Sequence, residues 1–260
     1  MGRQLAVVTG ASSGIGYNLA QVFAENDFDL VIASAGERLD QAEANLAELG
    51  TEVTAVKADL ATNEGVAELW EHVEALGRPV DAIAINAGVG VGGLFAETDL
   101  DKELNLVRLN VEGTVQLAKY AVKHMLRNGR GRILFTASIA GEMVAPREAV
   151  YAASKAFDLS FAKSLRAELE DTGVTVTALQ PGPTDTDFFH RADMDNTKVG
   201  QEGKKESEPY DVAKQGFEAL MKGEKHVYAA SFKTKVEGSL ANFTPDSVKA
   251  AMHEKMAKPA

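Results

Sequence analysis

The sequence predicts an α/β fold in which one doubly wound parallel sheet of about seven strands carries helices on both faces. Short apolar runs alternate about six times with longer segments whose apolar residues recur every three or four positions, which is the spacing of helices. The runs are rich in Val, Ile, Ala and Thr and mostly lack polar alternation, which is typical of strands buried on both faces. Strand and helix in regular alternation favour right-handed crossovers and therefore a parallel sheet.

The individual elements follow from the same two patterns. The apolar runs predict strands at residues 5–9, 28–34, 52–58, 80–86, 131–138, 174–180 and 226–230. The helical spacing predicts helices near residues 15–26, 37–49, 63–77, 101–127, 150–171 and 209–222. The longest of these helices has a predicted apolar face made of Leu104, Val107, Val111, Val115, Ala118, Val122 and Met125.

Residues 1–230 are predicted to form a single domain, because no change in composition divides them. Within this domain, residues 183–208 are polar and charged and follow a strand, and a loop of this length is typical of a lid. Residues 231–260 form a C-terminal extension in which Pro245 precedes a predicted short helix. Its apolar residues recur at every fourth position and are Val248, Met252 and Met256. We expect this apolar face to dock either on its own domain or on a partner subunit.

The composition excludes several classes of protein. The chain of 260 residues has a net charge of -11 and a pI of about 5.0, which argues against nucleic-acid or anionic-membrane partners. It has no cysteine, so disulfides and thiolate metal sites are excluded, and its 5 histidines lack metal-ligand spacing. No signal-peptide pattern is present at the N-terminus, and no apolar run approaches the roughly 20 residues that span a bilayer. We therefore expect a cytoplasmic protein without a metal site.

A glycine-rich segment, TGASSGIG at residues 9–16, joins the first predicted strand to the first helix. Gly10, Gly14 and Gly16 allow backbone conformations and close approaches that a Cβ atom would block. The free N–H groups and the dipole at the start of the helix favour an anion there. At the first strand-to-helix junction of a parallel sheet, this arrangement predicts a site for the phosphates of a dinucleotide.

The segment YAASK at residues 151–155 places a tyrosine and a lysine four positions apart. On a helix these two side chains share a face, with Cβ atoms roughly 5–6 Å apart. A phenol with a pKa of about 10 is a poor acid or base at neutral pH unless its anion is stabilised. We expect the charge of Lys155 to lower the pKa of Tyr151 and so to prepare it for proton transfer. Taken alone, such a pair on a helix is usually two stacked, exposed side chains.

The G-x-x-x-G-x-G spacing of the loop resembles the cofactor loop of the short-chain dehydrogenase/reductase family, in its compact single-domain branch. The resemblance covers about residues 4–230, and it implies a Rossmann-like fold that binds NAD or NADP. The further matching positions are Asp59 after the third strand, Asn86-Ala87-Gly88 after the fourth, Asn110, Ser138, Tyr151 with Lys155, and Pro181-Gly182 after the sixth. The implied cofactor-binding residues are Gly10, Ser12, Ser13, Gly14, Ile15, Gly16, Ser34, Arg38, Asp59, Leu60, Asn86, Ala87, Gly88, Tyr151, Lys155, Pro181, Gly182, Thr184 and Thr186.

The same resemblance implies a catalytic set. Tyr151 would exchange the proton, Ser138 would hold the substrate oxygen, Lys155 would bind the nicotinamide ribose hydroxyls, and Asn110 would anchor a water molecule. The implied function is that of an NAD(P)-dependent oxidoreductase that interconverts a carbonyl and a secondary alcohol, with a 3-oxoacyl-thioester reductase as a narrower version. The alternative is a non-catalytic NAD(P)-binding sensor or scaffold. Members of the family commonly assemble, so we expect a homo-oligomer, either a dimer or a tetramer.

Cofactor preference and substrate are read from the residues around this site. Ser34 and Gly36 end the second strand where NAD-binding proteins carry an acidic side chain, and Arg38 follows, so the sequence favours NADP over NAD. The residues expected to contact the substrate are Ser138, Met143, Val144, Tyr151, Phe188 and Phe189. Because four of these are apolar, a small to medium apolar carbonyl or alcohol is predicted.

Overall fold

The computed structural model describes residues 2–198, 200–201, 207–229 and 245–258, and the chain within these ranges is built around one parallel sheet. The strands occur in the order β3-β2-β1-β4-β5-β6-β7. Their bounds are β1 Gln4–Thr9, β2 Phe28–Ser34, β3 Val53–Lys57, β4 Ala82–Ile85, β5 Gly131–Thr136, β6 Val174–Pro181 and β7 His226–Ala229. The predicted fold class is confirmed.

The helices pack on both faces of the sheet. Their bounds are α1 Gly14–Glu25, α2 Leu39–Ala47, α3 Asn63–Ala75, α4 Leu100–Val107, α5 Thr114–Asn128, α6 Ala149–Glu168, α7 Phe188–Arg191, α8 Pro209–Lys222 and α9 Asp246–Ala257. Side chains cap some of them: the Thr62 hydroxyl accepts from the backbone N–H of Gly65 at 3.0 Å at the start of α3. Gly129 ends α5 with φ +68°, a left-handed conformation that favours glycine. Predicted residue 230, the extension from 231 to 244, and lid residues 199 and 202–206 lie outside the described residues.

The strand order places a crevice at the carboxyl edge of the sheet. β1 pairs with both β2 and β4. The strands β2 and β3 therefore lie on one side of β1, and β4 to β7 lie on the other. At such a switch point the two crossover connections diverge and leave a cleft above the ends of the strands. All functional candidates of the sequence are therefore expected at this edge.

Alternate side chains of each strand enter two separate cores. Val7, Val31 and Ile83 pack on one face of the sheet, with α3 and α5 above them. Val8 and Ile32 point to the opposite face, where they meet Leu19 and Phe23 of α1. Burial on both faces explains why the strands lack polar alternation.

The predicted helix over residues 101–127 is interrupted, which the sequence did not indicate. A π-helical segment, Arg108–Gly113, separates α4 from α5. The predicted apolar face is wrong in its first half, since Leu104, Val107 and Val115 are 41%, 39% and 37% exposed. Its buried side is formed by Glu103, Leu106 and Asn110 instead, because a wider turn shifts which side chains face the sheet. The exposed apolar side chains are available for contact with a second copy, and the homo-oligomer stays a prediction.

Among the described residues, no helix combines the length and apolar composition needed to cross a bilayer.

Truncating Phe23 to alanine is expected to lower the free energy of unfolding by about 3–5 kcal/mol, because it leaves a cavity in a close-packed core. Phe23 is fully buried, and its ring makes edge contacts with Phe28 and Phe217 at centroid distances of 5.1 Å each. Urea unfolding measures the loss. Leu49→Ala, at an exposed position, is the control and should change the unfolding free energy by no more than about 0.5 kcal/mol. Equal losses in the two variants would contradict the assigned core.

Candidate active site

A cavity of about 780 Å³ lies at the carboxyl edge of the sheet, at the switch point beside β1 and β4. Its walls include the glycine loop, the end of β4, the start of α6, the segment after β6 and one face of α9. A volume of this size is in the range of sites for cofactors and small molecules. The cleft therefore joins the glycine loop to the Tyr151–Lys155 pair in one space.

The glycine loop is shaped as a cradle for an anion. Gly10 and Gly14 adopt φ values of +68° and +57°, which residues with a Cβ atom rarely adopt. A Cβ on Gly16 would lie 2.3 Å from the carbonyl oxygen of Gly10. Ser13 precedes α1 without a side-chain capping hydrogen bond, so the first N–H groups of the helix are left for a ligand. These features fit the pyrophosphate of a dinucleotide.

Hydrogen bonds fix the end of β4 against this loop. The Thr9 hydroxyl accepts from the backbone N–H groups of Asn86 and Ala87 at 3.0 and 3.1 Å. The Asn86 side-chain amide donates to the Thr9 carbonyl at 3.0 Å. The Asn86-Ala87-Gly88 segment is thereby positioned as one wall of the cleft.

Ser138 and Tyr151 meet at the centre of the cavity. Ser138 follows β5 and opens a short 3₁₀ turn, Ile139–Glu142, where its hydroxyl accepts from the backbone N–H of Ala140 at 3.1 Å. Tyr151 lies on the first turns of α6, is buried, and is close enough to Ser138 for the Ser138 hydroxyl to lower its pKa. Its ring lies 5.1 Å from that of Phe188, centroid to centroid. The hydroxyl groups of Ser138 and Tyr151 thus face one cavity, where a carbonyl oxygen can accept from both.

The expectation that Lys155 lowers the pKa of Tyr151 is not met in this structure. Burial raises the pKa of Tyr151, and the negative charge of Glu148 raises it further. The hydrogen bond to Ser138 acts in the opposite direction, and Asp158 adds a smaller upward effect. Because the charge of Lys155 is paired with Asp158, it does not offset the burial of the phenol. Tyr151 is therefore protonated at neutral pH.

Lys155 is held in a buried pair that the sequence reading missed. Its Nζ donates to the Thr136 carbonyl at 2.8 Å and to Asp158 Oδ2 at 3.0 Å. The two side chains are only 7% and 4% exposed. Burial raises the pKa of Asp158, and the charge and hydrogen bond of Lys155 oppose that rise. The spacing from Lys155 to Asp158 is one helical turn, which is the signal that would have indicated the pair.

Asn110 lies in the π-helical segment and is fully buried. Its Oδ1 accepts from the Val89 backbone N–H at 3.0 Å, while its Nδ2 donates to the Val89 carbonyl at 2.9 Å and to the Ser154 hydroxyl at 3.1 Å. The side-chain amide therefore ties the end of β4 to the catalytic helix α6. The expected role in anchoring a water molecule stays a prediction.

Most of the predicted site residues line this one cavity. Asn110, Arg38 and Val144 do not. Arg38 points to the lid region instead, where its Nη2 donates to Asp187 Oδ2 at 2.6 Å, and Val144 is 39% exposed. The predicted residues that do line the cavity are Gly10, Ser12, Ser13, Gly14, Ile15, Gly16, Ser34, Asp59, Leu60, Asn86, Ala87, Gly88, Ser138, Met143, Tyr151, Lys155, Pro181, Gly182, Thr184, Thr186, Phe188 and Phe189.

Several residues of the cavity were not anticipated. Arg191 of α7 brings its Nη1 to 3.4 Å from the Ser13 hydroxyl. Glu148 lies one turn before Tyr151, and α9 contributes the remaining wall. Apolar residues at every fourth position indicated a docking face on α9, but nothing in the sequence indicated which surface that face contacts. The described residues contain no group of three or more His, Cys, Asp or Glu side chains arranged to hold a metal ion.

Comparison with known proteins assigns the family. The sequence pattern of the short chain dehydrogenases matches residues 4–197. The chain is 40% identical over 185 residues to the 1-deoxy-11-beta-hydroxypentalenate dehydrogenase of Streptomyces exfoliatus, covering 70% of this chain and 67% of that protein. It is 28% identical over 251 residues to the dehydrogenase/reductase SDR family protein 7-like of Drosophila melanogaster, covering 93% of this chain and 77% of the relative.

Among solved structures, a short-chain dehydrogenase from Sphingobium yanoikuyae in complex with NADPH has a similar fold, with a TM-score of 0.80 and 28% identity. The match covers 86% of this chain and 87% of that one. The family pattern spans the glycine loop, Ser138 and the Tyr151–Lys155 pair, which the fold brings into one cavity. The chain therefore belongs to the short-chain dehydrogenase family.

Proposed function

We propose that the protein is an NAD(P)-dependent oxidoreductase that reduces a carbonyl to a secondary alcohol, with Tyr151 as the proton donor. Membership of the family makes the chain a dehydrogenase or reductase that uses a nicotinamide cofactor. The observation that carries the finer proposal is that Ser138 and Tyr151 line the same cavity as the glycine loop. Proton donor, oxygen-binding group and cofactor cradle therefore share one space.

The proposed reaction balances with one hydride and one proton. The reduced nicotinamide supplies the hydride to the carbonyl carbon when it is bound. Tyr151 donates its hydroxyl proton to the carbonyl oxygen, and Ser138 holds that oxygen by a hydrogen bond that strengthens as negative charge develops. Because burial raises the pKa of Tyr151, the phenol keeps its proton at neutral pH until negative charge develops on the carbonyl oxygen.

Lys155 and Asn110 prepare the site without donating the proton themselves. Lys155 lies on the cavity wall, where its ammonium group is within reach of a ribose hydroxyl of the cofactor. Asn110 joins the end of β4 to α6 and so fixes the distance between the cofactor wall and Tyr151. The described part of the lid region supplies Phe188 and Phe189 to the substrate side of the cleft. We propose residues 1–230 as one dinucleotide-binding and catalytic domain.

The test is oxidation of NADPH or NADH by the full-length protein in the presence of a panel of apolar ketones. The proposal expects cofactor oxidation matched one-to-one by alcohol formation. Tight cofactor binding with no alcohol formed from any ketone would instead favour the sensor or scaffold.

We propose NADP as the preferred cofactor. The end of β2 carries no carboxylate that would repel a 2′-phosphate; Ser12 and Ser34 form a hydroxyl pair there, with their oxygens 2.9 Å apart. Arg191 reaches the glycine loop from the lid region and places a cation beside Ser13. Arg38 lies nearby but is paired with Asp187, so Arg191 is the better-placed ligand for the phosphate. The NADPH complex of the Sphingobium relative is in line with this preference.

Replacing Arg191 with alanine is expected to raise the Kd for NADPH by about 10–100-fold, since a hydrogen bond between charged groups contributes about 1.5–3 kcal/mol. The Kd for NADH, which lacks the phosphate, should change little. Fluorescence titration of the reduced cofactors measures both values. Arg127→Ala is the matched control, because Arg127 of α5 forms an ion pair with Glu74 of α3 and does not line the cavity. Equal weakening of NADPH and NADH binding by Arg191→Ala would contradict the assignment.

A further inference from the structure

Hydrogen bonds and ion pairs hold helix α9 against the segment that precedes α6. His253 Nδ1 bonds the Pro146 carbonyl at 3.0 Å, and Arg147 Nε pairs with Glu254 Oε1 at 3.0 Å. Lys249 Nζ donates to the Glu142 carbonyl at 3.2 Å. The contacts all lie on one short loop between the 3₁₀ turn and α6. Helix α9 is therefore held against the mouth of the cleft rather than against the sheet.

The central tie is a buried pair between His253 and Glu148. His253 Nε2 lies 2.9 Å from Glu148 Oε2, and the two side chains are 9% and 6% exposed. Each ring nitrogen of His253 faces an oxygen atom, Nε2 that of Glu148 and Nδ1 that of the Pro146 carbonyl. Glu148 lies three residues before Tyr151 at the start of α6. The His253–Glu148 pair thus connects α9 directly to the start of α6.

A second contact of α9 lies on the lid side of the cleft. Ala257 is buried in a small apolar cluster with Ala192 and Met194, and Met256 and Phe189 pack against it. Phe189 and Met256 also line the cavity. Helix α9 therefore spans from the loop before α6 to the segment after α7 and crosses the substrate side of the cleft.

Four residues of α9 line the cavity, the apolar Met252 and Met256 and the polar Lys249 and His253. The two methionines share the cavity with Met143, Phe188, Ser138 and Tyr151. Val248 is 46% exposed and is not among the lining residues. The long, unbranched methionine side chains fill irregular space and adapt to an apolar ligand.

We propose that α9 is the outer wall of the substrate cavity, that Met252 and Met256 set the size of the apolar group it accepts, and that His253 positions α9 through Glu148. This inference rests on the proposed function for its substrate, an apolar ketone. It gives the C-terminal helix a role in selectivity: ligands are discriminated by the space between Tyr151 and the two methionines.

The test compares cyclohexanone with the larger 2-decalone. Met256→Ala and Met252→Ala enlarge the cavity and should raise the ratio of kcat/KM for 2-decalone to kcat/KM for cyclohexanone by about tenfold. Met256→Trp narrows the cavity and should lower this ratio by a similar factor. Val248→Ala and Val248→Trp change a residue of α9 that does not line the cavity, so they are the controls and should leave the ratio unchanged. An unchanged ratio in both methionine positions would overturn the proposal.

His253 is tested as a positioning residue. His253→Leu removes the tie to Glu148 and should raise KM for cyclohexanone by about tenfold, with kcat and the Kd for NADPH nearly unchanged. The midpoint of urea unfolding should fall, because the change leaves the carboxylate of Glu148 buried without its partner. A fall in kcat with KM unchanged would overturn the positioning role.

Failure of this inference can be told apart from failure of the proposed function. If the wild type reduces both ketones but the methionine variants keep its ratio, only the role of α9 is wrong. If the wild type reduces neither, the proposed function fails, and calorimetric binding of the two ketones to the full-length protein then decides on α9. The same tenfold shift in the ratio of Kd values is expected, and an unchanged ratio, or no binding of either ketone, would overturn it.

Discussion

Replacing Tyr151 with phenylalanine is expected to lower kcat for ketone reduction by about 10²–10⁴-fold, the usual contribution of a positioned proton donor. The phenylalanine ring keeps the contact with Phe188 and lacks only the hydroxyl that meets Ser138. The Kd for NADPH should therefore stay within about twofold of the wild-type value, and the unfolding free energy should change little. Steady-state kinetics with saturating NADPH, together with a cofactor titration, measure both quantities.

Tyr210→Phe serves as the control for loss of a tyrosine hydroxyl. The hydroxyl of Tyr210 bonds Glu25 Oε2 at 2.6 Å, and neither residue lines the cavity. This variant should retain wild-type kcat. If Tyr151→Phe retained it as well, the proton would come from another group, and the assignment of Tyr151 as donor would be wrong.

Replacing Lys155 with methionine should reduce both cofactor binding and stability. Loss of a hydrogen bond from the ammonium group to a ribose hydroxyl predicts a rise of about 10–100-fold in the Kd for NADPH. The same change leaves the carboxylate of Asp158 buried without its cation, and breaking such a pair costs about 3–5 kcal/mol. Lower activity of the single variant therefore has two causes, one at the active site and one in folding.

A double variant separates these two causes. Lys155→Met combined with Asp158→Asn removes the unpaired charge and should recover most of the unfolding free energy measured in urea. The cofactor Kd of the double variant should stay as weak as that of Lys155→Met, since the ammonium group is still absent. Recovery of tight NADPH binding in the double variant would contradict a direct role for Lys155 in holding the cofactor.

The sheet and the cofactor loop were accessible from sequence because their signals are local. Buried parallel strands read as continuous apolar runs, and the glycines of residues 9–16 mark a turn that few other residues can adopt. The interruption of the helix at Arg108–Gly113 was not accessible, because a π-helical turn depends on how the chain packs against β4 and α6. The apolar spacing over 101–127 was read as if the helix continued, and three of the seven residues of that face are exposed.

Parts of the site depended on tertiary contacts that no spacing reveals. Tyr151 and Lys155 were correctly placed on one helix, but the effect of Lys155 on Tyr151 depends on where its charge is paired. Asp158 takes that charge, and burial then sets the pKa of Tyr151. In the same way Arg191 and His253 reach the cavity from segments far along the chain, so only the fold brings them to it. Local patterns thus predicted the candidate site residues, whereas the electrostatics of the site depend on packing.

The most direct test of the account follows deuterium from the cofactor to the product. The full-length protein is incubated with NADPH deuterated at the nicotinamide C4 position and with cyclohexanone, and the alcohol is analysed by mass spectrometry. We expect deuterium on the carbinol carbon of the alcohol formed by the wild type and by Tyr210→Phe. Product formation by Tyr151→Phe should be lower by about 10²–10⁴-fold. Tight binding of NADPH without deuterated alcohol from cyclohexanone or any ketone of the panel would contradict it.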